Sequence, residues 1–355
     1  MLRPHELLTP TPAGLYCPLA DVHVDPVRPV PRALITHGHS DHARSGHGAV
    51  LATEDTLAIM AIRYGEGFAA STQAAALGRP VSLGAVTVTF HPAGHVLGSA
   101  QIAFEARGLR IVVSGDYKRQ RDPTCLPFEP VPCDVFITEA TFGLPVFRHP
   151  DTRAEVDKLV ASVRLFPERA HIVGAYALGK AQRLMALLRE AGEDRPIHIH
   201  GALEKLTAFY QSRGIDLGVV EKVLPKERGK LAGAIVVCPP GQIQDLWSRR
   251  FPDPVTAFAS GWMRVRARAR QRGVELPLVV SDHADWDDLC RTILETGASE
   301  VWVTHGQEDA LVHWCVTRGI RARPLHIVGY GDEGEAEPED RPGEKPAEPS
   351  PGDPA

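Results

Sequence analysis

Five times along the chain, a short apolar run stops on histidine or aspartate beside a small residue. Ala33-Leu34-Ile35 leads into Thr36-His37-Gly38-His39-Ser40-Asp41-His42, and Val88-Thr89-Phe90 into His91-Pro92-Ala93-Gly94-His95-Val96-Leu97-Gly98-Ser99. Leu109-Arg110-Ile111-Val112-Val113 ends on Ser114-Gly115-Asp116, Leu278-Val279-Val280 on Ser281-Asp282-His283, and Val301-Trp302-Val303 on Thr304-His305-Gly306. Each run reads as a buried strand, and ligands in layered α/β proteins collect in loops at strand ends. One such end is an ordinary turn; five of them predict a site.

The first run is the densest. A strand projects alternate side chains to one side, so His37 and His39 can address one metal. Past the strand, Asp41 and His42 are expected to face a second metal from the opening turn of a helix. Imidazole mixed with carboxylate suits a borderline divalent ion such as zinc.

The remaining pattern is also α/β. Strands are predicted over 33–36, 86–90, 102–105 and 110–114, then over 171–175, 196–200, 234–238 and 255–259. Helices are predicted over 180–190, with Ala181, Leu184, Met185, Leu187 and Leu188 on one side, and over 203–213. The stretch from about 147 to 270 carries no metal motif and reads as a second α/β layer.

Composition changes this picture little. The 355 residues are 43% hydrophobic, which fits about two globular domains. No run approaches the ~20 apolar residues of a membrane span, and no charged-then-apolar leader opens the chain. Six dispersed cysteines form no CxxC pair and are expected to be reduced thiols in a cytoplasm. The net charge of −5 misleads, because residues 331–355 hold nine acids against Arg341 and Lys345 and leave the rest at +2. That tail, with six prolines and no aromatic residue, is predicted to be disordered.

These motifs resemble a known family. His37-Gly38-His39-Ser40-Asp41-His42 matches the HxHxDH signature of metallo-β-lactamase-fold hydrolases, with His95 and Asp116 at the later ligand positions. Thr138-Glu139-Ala140-Thr141-Phe142-Gly143, then His283, then His305 look like motifs A, B and C of the β-CASP nucleases. The opening 8–18, Ser114–Gln120, Gly174–Lys180 and Ser260-Gly261-Trp262 are similar to bacterial DNA-ligase-associated exonucleases and to the Artemis and Apollo branch.

The resemblance implies a four-layer αββα sandwich over 1–146 and 271–330, with a β-CASP α/β cap inserted over 147–270. It implies two Zn²⁺, with Mn²⁺ as an activating substitute. His37, His39 and His95 would hold one ion, Asp41, His42 and His305 the other, and Asp116 would bridge them. Asp41, His283 and Glu139 would carry catalysis: His283 as proton donor to the leaving oxygen, Glu139 by accepting a histidine N–H. Asp25 reads equally as a further supporting carboxylate or as a turn. The implied activity is a DNA exonuclease linked functionally to a DNA ligase and a helicase. His305 is typical of RNA-processing relatives, so RNA remains the alternative substrate. Small thioester or lactam hydrolases share the sandwich, but the 189 positions between Asp116 and His305 favour a cap over a polymer.

Six positions are expected to contact substrate: Ser99, Tyr117, Lys118, Gly179, Lys180 and Trp262. Gly179-Lys180 opens a helix, where free N–H groups and the dipole favour phosphate; the bland reading is a solvated lysine. Arg264, Arg266, Arg268, Arg270 and Arg272 would make one basic face on a strand and a scattered one on a helix. His47, His91, His198 and His200 read as structural.

Overall fold

The computed structural model describes residues 2–224 and 231–327; the acidic tail lies outside them. Three sheets carry the chain. The first follows sequence order through Thr9–Thr11, Gly14–Cys17, Val22–Val24, Arg32–Leu34, His47–Ala52 and Ala69–Ala74. The second runs Arg321–Pro324, Glu300–Gly306, Val135–Ala140, Leu109–Val113, Ala100–Ala106, Val86–Pro92 and Pro80–Leu83.

Period-two alternation divides these strands between two cores. Leu15, Val24, Leu34 and Leu51 of the first sheet share one buried cluster with Phe90, Phe104, Ile111, Ile137 and Trp302 of the second. Their sequence neighbours point the other way. Ala33, Ile35, Val50 and Ala52 meet Met60 of the helix Glu54–Tyr64. Val112, Phe136, Val301 and Val303 meet Leu289 and Ile293 of Trp286–Thr296, and Leu311 of Glu308–Val316.

Register then decides where the polar ends go. Leu109–Val113, Val135–Ala140 and Glu300–Gly306 are mutually parallel, pairing Val112 with Phe136 and Phe136 with Val301. Parallel neighbours end on the same edge of a sheet, so Asp116, Glu139 and His305 arrive together.

The third sheet is all parallel, in the order Val220–Lys222, Ile197–Ile199, Ile235–Cys238, His171–Gly174, Val255–Ala259 and Leu276–Leu278. Such strands are covered on both faces and read as continuous apolar runs, as Ile235-Val236-Val237 does. The helices Thr152–Leu165, Lys180–Glu190 and Glu204–Ser212 pack on it, and Ile59 of the first unit joins the same core. Among the described residues, no helix is long and apolar enough to cross a membrane.

One expectation needs correction. No helix opens at Asp41: Ala43 N–H bonds His39 O at 2.7 Å, closing one turn before Gly46, at φ +92, redirects the chain into His47–Ala52. The helix expected over 203–213 begins as a tight turn at Gly201–Leu203 and becomes helical only over Glu204–Ser212. The arginine run is a short helix, Arg266–Arg272, so its charges scatter.

Candidate metal centre

Asp116 organises the site. Its carboxylate is 3% exposed, and Oδ2 lies 3.4 Å from His37 Nε2, 3.4 Å from His42 Nε2 and 3.8 Å from His95 Nε2. His39 Nδ1 sits 2.9 Å from His95 Nε2. One donor atom each from His37, His39, His95 and Asp116 falls within a 4.8 Å group. Asp41 Oδ2 is 3.7 Å from His42 Nε2, and the His305 ring stacks on His42 at 5.1 Å. The structure therefore brings all seven expected ligands to one place. His47, His91, His198 and His200 belong to neither metal-capable group among the described residues.

The outer nitrogens show what the inner ones are for. His95 Nδ1 donates to Asp282 O at 2.7 Å, His39 Nε2 to Leu178 O at 3.2 Å, and His42 Nδ1 to Asp25 Oδ2 at 2.8 Å. Thr36 Oγ1 gives its proton to Asp25 Oδ2 at 2.6 Å and so accepts from His37 Nδ1 at 3.0 Å. A nitrogen protonated outward leaves a neutral ring's lone pair facing inward, the arrangement metal-ligating histidines adopt, and His42 reaches it once a cation displaces its inner proton. His37 Nε2 is buried with no hydrogen-bond partner, which fits a coordinating atom. The donor set suits divalent metal.

Electrostatics in the metal-free protein agree. Burial drives His37 and His95 well below the ordinary histidine range, with neighbouring histidines adding to it. Burial also opposes charge on His42, but Asp116 and Asp41 outweigh it and hold His42 well above that range. In return His42 keeps Asp116 well below the usual carboxylate range against the opposing effect of burial.

Local backbone serves the same end. Gly115 has φ +54, and a Cβ there would lie 2.8 Å from Thr36 Oγ1, the atom that orients His37. His305 itself adopts φ +56, a left-handed conformation that costs a non-glycine residue about 1–2 kcal/mol. Asp25, at φ +41, is both the turn and the supporting carboxylate.

Beside the ligands, His283 Nδ1 lies 3.0 and 3.1 Å from the two Glu139 oxygens, and Glu139 Oε1 also accepts from Tyr117 N–H at 2.8 Å. Asp116, Glu139 and His283 form a second compact group.

Five of the six expected substrate contacts are internal. Ser99 Oγ accepts from His95 N–H and Val96 N–H. Tyr117 is fully buried against Thr138, and Lys118 Nζ bonds His95 O and Asp122. Lys180 is 4% exposed, with Nζ 3.3 Å from Asp282 Oδ2 and over the Tyr176 ring. The first N–H groups of its helix are already bonded, Gly179 to Gln182 Oε1 and Ala181 to Tyr176 O, so no phosphate cradle is open there. Trp262 alone is half-exposed, packed on Phe142 and Phe147 under the Arg268 guanidinium.

Sequence reading missed Asp282 and Arg183. Arg183 is fully buried on the third sheet's helix and holds Ser281 O, Asp282 and Asp122. Nothing local marks it, because a buried arginine and a solvated one look alike in sequence.

Comparison with known proteins agrees with this geometry. No family model matches the chain. Over 313 residues it is 28% identical to a protein of Opitutus terrae named a probable DNA ligase, covering 87% of this chain and 30% of that one. It is 33% identical over 134 residues to endoribonuclease ysh1 of Aspergillus fumigatus, 36% of this chain and 15% of the relative. It is 38% identical over 110 residues to cleavage and polyadenylation specificity factor subunit 3 of Dictyostelium discoideum, 30% of this chain and 14% of the relative. These similarities accord with the resemblance to β-CASP metallo-β-lactamase nucleases that the sequence motifs carry. The chain spans no more than 30% of the length of these curated relatives. A crystal structure of a protein of unknown function from Enterococcus faecalis V583 shares the fold, with TM-score 0.58 at 13% identity over 84% of this chain and 79% of that one.

Asp25→Asn tests the outer shell. The amide keeps the turn but presents N–H to His42 Nδ1, so the ring must rotate or change tautomer. Divalent-metal affinity by competition with a chelating dye is expected to fall about 10–100-fold with circular dichroism unchanged; unaltered affinity would contradict the assignment.

Proposed function

We propose that this chain is a two-zinc phosphodiesterase, with Mn²⁺ able to substitute, that acts as an exonuclease on DNA. The observation that carries the reading is Asp116 Oδ2, buried between His37, His42 and His95. A carboxylate held there, with the His37 and His95 nitrogens and the charged His42 ring turned to it, is suited to lie between two cations. His37, His39 and His95 would hold one, and Asp41, His42 and His305 the other. Two such ions, when bound, would supply an acidified attacking water and neutralise the non-bridging oxygens of a phosphodiester.

The chain's own groups supply the rest. Glu139 fixes His283 by its Nδ1–H, which leaves Nε2 for proton transfer to the departing oxygen. Asp41, beside His42, would both help hold the second ion and orient the incoming water. Within this reading the first two sheets and their helices are a four-layer αββα sandwich, and the cap is the unit expected over 147–270, whose sheet also takes in the strand Leu276–Leu278 beyond that bound.

DNA is favoured because the relative aligned over 87% of the chain is named a DNA ligase. That name also makes a DNA ligase the partner to test, with a helicase beside it. RNA is the second reading, supported by His305 and by relatives named endoribonucleases. End-labelled single-stranded DNA and RNA of one sequence, incubated with Zn²⁺ or Mn²⁺, decide between them. Mononucleotide release from DNA is expected; faster cutting of RNA would replace the reading by the ribonuclease, and internal cuts in DNA would overturn the exonuclease part of it.

His283→Ala is expected to retain its metals yet lose on the order of 10²–10⁴ in rate. A sulfur leaving group needs no proton, so a bridging phosphorothiolate substrate is expected to recover most of that loss. Equal loss on both substrates would remove His283 from the proton-donor role.

A further inference from the structure

The third sheet has a cavity of its own. It measures about 470 Å³, within the ~300–1,000 Å³ typical of small-ligand sites. It opens beyond the carboxyl ends of three adjacent parallel strands, His171–Gly174, Ile235–Cys238 and Val255–Ala259. That is where open parallel sheets bind ligands. Tyr176, Phe258 and Trp262 give it an aromatic wall, Gln244 a polar one, and Arg268 and Arg272 its charge. No aspartate or glutamate lines it among the described residues.

The two arginines are placed by helix geometry. Positions four apart share a face, so Arg268 and Arg272 both turn inward while Arg264, Arg266 and Arg270 are exposed. Arg268 lies 3.9 Å over the Trp262 ring, and Arg272 lies 5.2 Å over Phe258. Stacking preorganises each guanidinium and leaves its edge N–H groups for an anion. Aromatic surface combined with paired guanidinium groups is the chemistry that binds a nucleotide of a single strand.

Position relates the cavity to the proposed reaction. Trp262 packs on Phe142 at 4.8 Å, and Phe142 meets His283 edge-on at 6.2 Å. The cavity thus lies two aromatic contacts from the proposed proton donor.

We propose that this cavity holds one nucleotide of the strand on the leaving side of the scissile bond. Its base lies against Tyr176 and Trp262, and its phosphate on Arg268 and Arg272. The assignment to the leaving side rests on the proposed function of His283; the nucleotide site itself does not.

The test is Arg268→Ala/Arg272→Ala in the full chain. Single-stranded DNA and RNA binding to chelator-treated protein, followed by fluorescence anisotropy, is expected to weaken on the order of tenfold. The slope of log K against log salt is expected to drop by about 0.7 for each phosphate that is no longer neutralised. The double lysine variant keeps most of that slope, and Gln271→Glu, which adds a carboxylate to the cavity, weakens binding as well. The DNA and RNA arms show which strand the cavity prefers. Hydrolysis of bis(p-nitrophenyl) phosphate, too small to span both places, stays at the unmutated rate. Unchanged affinity and salt slope would overturn the proposal, as would a parallel loss of the small-substrate reaction. If the unmutated protein hydrolyses no small diester, the metal-centre reading fails while the binding arms still judge the cavity.

Discussion

A buried carboxylate surrounded by imidazoles is the constraint on which the other features depend. Asp116 is 3% exposed, and an ion buried this deeply is tolerated only where opposite charge compensates it. In the metal-free protein His42 supplies that charge; in the proposed holoenzyme, two cations do. The rings cannot swing away, because Asp25, Thr36, Leu178 O and Asp282 O each hold an outer nitrogen. Cations would thus enter a cage already shaped for them, so less ordering entropy is lost on binding.

The sheets make this cage by register. Parallel pairing sends Asp116, Glu139 and His305 to one edge, and the first sheet delivers His37 from across the shared core. The third sheet then ties in from outside. Arg183 and Lys180 on its helix reach Asp282, whose carbonyl accepts from His95. A charge network therefore links the third-sheet unit to His95. The link explains why Lys118 and Lys180 are buried at all: both neutralise acids beneath the site.

Much of this was legible in the sequence because period-two alternation and strand-end ligands are local signals. The strands that carry Asp116 and His305, and the helix Lys180–Glu190, lie where the pattern puts them. What failed was non-local. Lys180 at a helix start looks like a phosphate ligand until Asp282, distant in sequence, claims its charge. Tyr117 follows Asp116 yet turns into the core. The arginine run left strand and helix both open, and the helix places only Arg268 and Arg272 in the cavity. Turn termination by Gly46, rather than a capped helix, after Asp41 depends on a left-handed backbone that composition does not announce.

The central claim is that Asp116 lies between two metal ions. Anomalous diffraction collected at the zinc absorption edge, from crystals grown with zinc, tests it most directly. The account predicts two peaks about 3.5–4 Å apart, one beside His37, His39 and His95, the other beside Asp41, His42 and His305, with Asp116 touching both. A single peak, or peaks that leave Asp116 outside coordination distance, would contradict it.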